Sequence, residues 1–193
     1  MVKRLEQVAS WFQKHASRLR SMAPEDAADE LHGQLSKLEG DLTVEVADDE
    51  QARELIVSAS GNVELFGTVE RICAALGAPG WQIVALKPPL GFEFTLDTED
   101  GTSLDVSLLQ FDPLESDAAP GEVGIKVLAP RHLVAMLRPA VGLVVETGIG
   151  ERLAAAINHL EVGEIPERSE ALPIHDLESY VLWHLKRRGG RQS

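Results

Sequence analysis

The first forty residues carry apolar side chains at the spacing of two amphipathic helices. In the first segment, apolar positions recur at steps of three and four residues from Leu5 to Leu19, which places them on one face of a helix. The second segment begins near Pro24, because proline suits a first helical position, and its apolar positions continue to Leu38. The pattern therefore predicts an N-terminal helical pair over residues 1–40.

The next segment changes from the period of a strand to that of a helix and back. Apolar and polar residues alternate at 42–46, and a second β-rich stretch follows at 54–59, so both are predicted strands. Between 63 and 76 the apolar positions return to helical spacing, and a further strand is predicted at 81–86. The last three elements together indicate one β-α-β unit.

A hairpin is the clearest local signal in the chain. Apolar and polar residues alternate at 92–96 and again at 104–108, and an Asp-Gly pair lies in the turn at 97–101. This combination is typical of two antiparallel strands joined by a tight connection. Residues 110–120 are predicted to form a loop, because they contain the turn-forming pairs Asp112-Pro113 and Ala119-Pro120.

The C-terminal half is predicted to contain further strands and helices. Residues 122–128 resemble a strand, and a helix is predicted to begin at Pro130 and to continue to Val145, with a kink at Pro139. The stretch 153–165 favours a helix at its alanines and a strand after them, and we interpret it as a final strand. A C-terminal helix follows Pro173 and runs through Leu185.

These elements predict an α+β fold with a mostly antiparallel sheet, an N-terminal helical pair and helices packed on one face of the sheet. At 193 residues the chain is long enough to bury a substantial core. We interpret residues 1–185 as a single domain, in which 1–40 form the helical pair and 41–185 the sheet with its helices. Residues 186–193 are interpreted as a basic, flexible tail.

Charge is distributed unevenly along the chain. The formal net charge is −13, yet residues 1–20 carry +4 and the residues after His184 carry another +4, so the part between them carries −21. Binding to nucleic acid depends on clustered Lys and Arg, and an acidic body opposes it by long-range repulsion. The charge pattern therefore argues against nucleic acid and favours a basic protein partner.

Cysteine content and hydropathy indicate a cytoplasmic protein. Cys73 is the only cysteine, so the chain cannot form an intramolecular disulfide or a multi-thiolate metal site. The first twenty residues contain charges throughout and no apolar signal-peptide region, and no uninterrupted apolar run approaches eighteen residues. No membrane association is predicted. Because Cys73 falls on the apolar stripe of the helix at 63–76, we interpret it as a packing residue.

Two motifs resemble a group of uncharacterised bacterial proteins. Residues 58–66 read SASGNVELF and residues 80–88 read GWQIVALKP, which are similar to the SA-G-N-x-E-L-F turn and the GW-x-I-x-A-x-(K/R)-P strand of that group. Gly150-Glu151 is similar to a Gly-Glu pair at a helix end in the same group. The resemblance implies a bacterial, cytosolic α+β protein of unknown role, and it transfers no catalytic residue.

No motif identifies a reaction centre. The six histidines lack the spacings of metal-binding pairs, and the chain has neither a Gly-x-Ser-x-Gly elbow nor a Gly-Lys-Ser/Thr phosphate loop. We therefore predict no catalytic residue, no metal ligand and no cofactor. The residues retained as candidates for a surface or pocket site are an aromatic at a strand start and the acids near ordered elements: Trp81, Asp97, Asp100, Asp105, Glu146 and Glu151.

Three hypotheses for function follow from these observations. The preferred one is a non-catalytic, acidic cytosolic protein that binds a basic protein partner, for example as an immunity- or antitoxin-like inhibitor. The second is a small carboxylate-dependent or metal-assisted enzyme whose acids meet only in the folded chain. The third is a structural homodimer that pairs through the amphipathic N-terminal helix.

Overall fold

In a computed structural model, the chain divides into two compact units, residues 1–87 and 88–193. The sequence suggests a single domain over 1–185, and the boundary between the units falls within that range. Each unit combines helices with a small sheet, which confirms the predicted α+β class. The structure describes residues 2–48, 52–98, 101–114, 119, 121–168 and 170–189.

Unit 1 contains three helices and a three-stranded sheet among its described residues. The strand order is β1-β2-β3; β1 and β2 are antiparallel, whereas β2 and β3 are parallel and are joined through a helix. This confirms both the predicted helical pair and the predicted β-α-β unit. The elements are α1 (Val2–Arg20), α2 (Pro24–Leu35), β1 (Thr43–Asp48), β2 (Arg53–Ser58), α3 (Phe66–Ala75) and β3 (Trp81–Ala85).

The helices of unit 1 cover one face of its sheet. Leu55 and Val57 alternate along β2 and point into the same buried cluster as Phe12 of α1, Leu31 of α2 and Val69 of α3. The apolar stripe that predicted α1 is therefore buried within this unit.

Two polar side chains of the sheet attach the end of α1 to it. The buried guanidinium of Arg53 donates from Nη1 to the carbonyl oxygen of Leu19 at 2.6 Å and forms an ion pair with Asp48 at 2.9 Å. The indole of Trp81 donates to the carbonyl oxygen of Ala16 at 3.1 Å. Leu19 is one of the last four residues of α1, whose carbonyls lack intrahelical partners, and it also accepts from the N–H of Met22 at 3.2 Å. The two side-chain donors therefore stabilise the C-terminal end of α1.

Unit 2 contains a two-stranded ribbon, a four-stranded sheet and three helices among its described residues. The ribbon pairs β4 with β5, and the sheet has the order β8-β7-β6-β9. Its strand β7 is antiparallel to β6 and parallel to β8. The elements are β4 (Thr95–Asp97), β5 (Ser103–Asp105), β6 (Gln110–Leu114), β7 (Val123–Ala129), α4 (Val134–Ile149), α5 (Glu151–Ala154), β8 (Ile157–Glu164), β9 (Leu172–Pro173) and α6 (Leu177–Gly189).

The sheets of the two units are mostly antiparallel, as predicted, because four of the six pairings among described strands are antiparallel. In unit 2 the helices again lie on one face. Val123, Ile125 and Val127 of β7 share a buried cluster with Leu137 of α4 and Val181 of α6. The strand predicted within 153–165 is confirmed as β8, but it is not the final strand, because β9 follows it.

The loop predicted over residues 110–120 is wrong in its first half, where β6 forms. Asp112-Pro113 suggested a loop because proline cannot donate a ladder hydrogen bond. β9 pairs only with Gln110 and Phe111, so Pro113 lies beside β7 on one side and has no strand described on the other. An edge position of this kind tolerates a residue without an N–H group.

The second strand of the predicted hairpin ends earlier than its alternation suggests. β5 stops at Asp105, and residues 106–108 form a 3-10 helix. The carboxylate of Asp105 accepts hydrogen bonds from the backbone N–H of Ser107 at 3.0 Å and from its hydroxyl at 2.6 Å. This local side-chain cap competes with continued strand pairing. As a result Leu108 is exposed rather than directed into the core.

Helix α4 is the most apolar of the described helices. It continues through Pro139 without a break and ends at Ile149, before Gly150. Within the described residues, Arg131–Ile149 is one helix long and apolar enough to cross a membrane by length and composition. In unit 2, Leu137, Val144 and Ile149 of α4 pack into the buried core, whereas Leu143 is exposed.

Helix α6 extends further than the sequence indicates. It includes residues 186–189, which the sequence suggests belong to a flexible tail, while residues 190–193 lie outside the described part of the chain. Lys186 and Arg187 are therefore presented from a helix.

Candidate functional site

The strongest candidate site is the solvent-facing side of the β4–β5 ribbon. Thr95 lies opposite Asp105, and Asp97 lies opposite Ser103, so these four residues share one face. All four are exposed, whereas Leu104 on the other face is buried. We call this side the acidic ribbon face.

Two of the predicted site residues meet on the acidic ribbon face. Asp97 and Asp105 are diagonal neighbours across the two strands, a relation that separates such positions by about 7 Å. Glu93, two residues before Thr95, is also exposed, and its carboxylate lies 3.6 Å from Nε2 of His175. The strands themselves contribute no Lys or Arg to this face. The result is a compact negative surface that favours cationic ligands.

Two further features make the ribbon suitable for contact with another chain. Among the described strands, β4 and β5 pair only with each other, so each has an open edge, and open edges can accept an added strand. Beside Asp105, the side chain of Leu108 is 65% exposed. The ribbon thus offers carboxylates, backbone hydrogen-bonding groups and an apolar contact in one place.

The other predicted site residues do not join this face. Trp81 lies in the core of unit 1, and its indole is engaged by the carbonyl of Ala16. Glu146 is half-buried on α4, and Glu151 is fully buried at the start of α5. Asp100 lies outside the described residues.

A second polar surface, which the sequence did not indicate, lies on the open face of the four-stranded sheet. His159 and Glu161 are two residues apart on β8 and point to the same side, and their side chains meet at 2.9 Å. Lys126 of β7 lies opposite Glu161, and Asp112 of β6 lies opposite Lys126. The hydrogen bond from His159, together with the charges of His159 and Lys126, lowers the pKa of Glu161.

The signal for this second surface was the i, i+2 spacing of His159 and Glu161 within a predicted strand. Lys126, the cross-strand partner of Glu161, is 35 residues earlier in the chain, and only the register of the sheet brings it close. Gly163 contributes as well, because a Cβ at this position would overlap the side chain of Lys126.

The geometry of these surfaces suits binding better than catalysis. Both His159 and Glu161 are largely open to water, and Asp97 and Asp105 are exposed on the ribbon. General acid–base catalysis depends on groups positioned around an enclosed substrate. In the part of the chain that the structure describes, no group of three or more His, Cys, Asp or Glu side chains is arranged to hold a metal ion.

The single thiol is also unsuited to nucleophilic chemistry at neutral pH. Cys73 is buried on α3 against β3, and burial raises the pKa of its thiol to about 11. Its Sγ lies 3.6 Å from the carbonyl oxygen of Val84. A thiol in this state carries little thiolate at neutral pH, which agrees with the packing role that the sequence suggested.

Comparison of the chain with protein-family models, curated proteins and solved structures finds no match. The resemblance of residues 58–66 and 80–88 to a bacterial group therefore stays a prediction.

Proposed function

We propose that this protein is a non-catalytic, cytoplasmic binding module whose acidic ribbon face holds a basic segment of another protein. The observation that carries the proposal is the shared face of Asp97 and Asp105, to which the ribbon strands add no Lys or Arg. An inhibitor of the immunity or antitoxin type, which masks a basic surface of its target, is a concrete form of this function.

The overall charge supports the same direction of recognition. A chain of net charge −13 attracts basic partners and accelerates their encounter, and this attraction weakens as salt is added. The open edges of β4 and β5 supply contacts that depend on shape rather than on charge, because an extended segment can add to either edge. The ribbon would then determine which partner binds, and the net charge of the whole molecule would determine how fast the partner associates.

A fluorescent Lys/Arg-rich peptide tests the proposal by anisotropy at low and high salt. In the double variant Asp97→Asn/Asp105→Asn, loss of two exposed charge contacts should weaken binding about twofold to thirtyfold, given about 0.2–1 kcal/mol for each. The matched control, Asp112→Asn/Glu161→Gln, removes two charges from another surface of the same unit. It should weaken binding about twofold or less.

Equal weakening by both double variants would show attraction by net charge alone and would contradict a site on the ribbon. Absence of peptide binding to the unaltered protein at low salt would contradict the basic-partner proposal as a whole.

The two other hypotheses gain no specific support from the folded chain. The carboxylate-dependent enzyme needs acids that meet in a concave pocket, whereas Asp97 and Asp105 are exposed and Glu151 is buried on a different element. The dimer through α1 needs a free apolar stripe, whereas Val8 and Phe12 of that stripe are buried within unit 1.

A further inference from the structure

Helix α6 buries one side in unit 2 and leaves an aromatic side uncovered. Leu177 and Val181 are fully buried, whereas Leu182 is 38% and Trp183 49% exposed. The guanidinium of Arg187 lies over the Trp183 ring, 4.6 Å from its centroid. Tryptophan and arginine are the residue types most often found at the energetic centres of protein interfaces.

The uncovered side of α6 has an ordered sequence of chemical types. Asp176, Ser179, Trp183 and Arg187 follow one another at steps of three or four residues, and all four are exposed. At 3.6 residues per turn, Ser179, Trp183 and Arg187 lie within an arc of about 80° on α6, and Asp176 lies in the 3-10 turn that leads into the helix. We call them the α6 stripe; it has an acid at its N-terminal end, a small residue and an aromatic residue in the middle, and a cation at its C-terminal end.

We propose that the α6 stripe is a homodimer interface in which it pairs antiparallel with the same stripe of a second copy of this chain. A two-fold axis crossing the helix near Val181 places Trp183 over Ser179 of the second copy. The same axis places Arg187 opposite Asp176 of the second copy, because the midpoint between residues 176 and 187 lies within one residue of the midpoint between residues 179 and 183. Each contact then occurs twice, as two-fold symmetry requires.

Charge complementarity favours a second copy over other occupants. A partner segment of one charge sign would be attracted to one end of the α6 stripe and repelled by the other. The same stripe of a second copy, running in the opposite direction, places opposite charges together at both ends. The small side chain of Ser179 leaves room for the indole of the facing copy. Arg187 is already held on Trp183, so less side-chain freedom is lost when it pairs. A single helix pair buries a small area, so we expect dissociation in the micromolar range.

Sedimentation velocity on the full chain, over concentrations from micromolar to about half a millimolar, tests this proposal. The unaltered protein should pass from monomer to dimer. Arg187→Asp alone and Asp176→Arg alone should each weaken dimerisation at least about tenfold, because each places like charges opposite one another. Trp183→Ala should do the same by removing the central contact. Arg131→Asp, an exposed charge reversal elsewhere in unit 2, should leave dimerisation unchanged.

The double variant Asp176→Arg/Arg187→Asp distinguishes an interface from a structural role. Both changes place charges unfavourably for the helix dipole, so damage to α6 itself should accumulate in the double variant. A true interface should instead regain dimerisation, because the two ends again match across the two-fold axis. A monomer at every concentration, or a double variant weaker than either single variant, would overturn the proposal. The α6 stripe is independent of the acidic ribbon face, so neither test decides the other.

Discussion

The two units share an arrangement of strands but differ in where they place apolar and polar side chains. In unit 1, an antiparallel pair is followed by α3 and by a strand parallel to the second one. In unit 2, the antiparallel pair β6–β7 is followed by α4 and by β8, parallel to β7. Both arrangements combine a hairpin with a helical crossover, as parallel neighbours require.

What differs is the treatment of apolar and polar side chains. Unit 1 attaches α1 to its sheet with the buried donors Arg53 and Trp81, and one of its large hydrophobic residues, Val63, is exposed among those described. Unit 2 exposes six within its described residues. Among the described residues, the large exposed hydrophobic side chains are therefore concentrated in unit 2. The six are Leu90, Leu108, Leu143, Leu172, Leu182 and Trp183.

The largest expected effect is the loss of the buried cation of unit 1. Arg53→Met keeps most of the packing volume but leaves the Leu19 carbonyl without its charge-assisted donor. Asp48 is largely exposed, so its ion pair contributes little to the total. We expect the free energy of unfolding of unit 1 to fall by about 2–3 kcal/mol. Urea unfolding in a Trp183→Phe background measures this, because the remaining Trp11 and Trp81 both report on unit 1.

The control for this change is Arg71→Met. Arg71 is an exposed cation of α3 that donates to the hydroxyl of Thr68, and its replacement should change the free energy of unfolding by less than about 0.5 kcal/mol. If Arg53→Met were as mild as its control, the polar attachment of α1 would not distinguish unit 1 from unit 2.

Unit 2 relies on close apolar contact instead, and Gly148 tests it. A Cβ at Gly148 of α4 would overlap the ring of Phe92, so Gly148→Ala should destabilise unit 2 by about 2 kcal/mol. Gly142→Ala on the same helix meets nothing within 4 Å and should stabilise by up to about 1 kcal/mol. Urea unfolding followed by far-UV circular dichroism compares the two.

A double-variant cycle assigns the cause of this effect. In a Phe92→Ala background the added methyl group of Gly148→Ala has room, so its cost should largely disappear. An undiminished cost in that background would mean that the contact between Phe92 and Gly148 is not what limits this position.

Local patterns were enough to predict most elements, and competing local interactions explain the errors. Apolar spacing predicted α1 and α3, and the Asp-Gly turn predicted the β4–β5 pair. Alternation continued through Leu108, but the cap formed by Asp105 on Ser107 ended the strand first. Proline at position 113 suggested a loop, because the sequence alone cannot tell an edge position from a central one.

The candidate site was predictable only in part. The density of acids around the Asp-Gly turn pointed to Asp97 and Asp105, and the register of the hairpin placed both on one face. Glu151 was a candidate because it is charged, yet it lies buried on α5. The charge of a residue does not by itself indicate whether its side chain is buried. The meeting of Lys126 with Glu161 and the exposure of Trp183 depend on tertiary packing, which no local pattern encodes.

The smallest expected effect concerns Cys73 in the core of unit 1. Burial raises the pKa of this thiol to about 11, above its ordinary value, so the unfolded chain releases the proton first as pH rises. The stability of unit 1 should therefore be constant below the ordinary thiol pKa and should fall as pH rises toward about 11. Because other groups of the chain also lose protons at alkaline pH, Cys73→Ala provides the baseline. Urea unfolding of both proteins between neutral and alkaline pH should show a steeper decline with the cysteine present. Parallel slopes would mean that the thiol is as accessible to water in the folded unit as in the unfolded chain, and would contradict the burial of Cys73 in the core of unit 1.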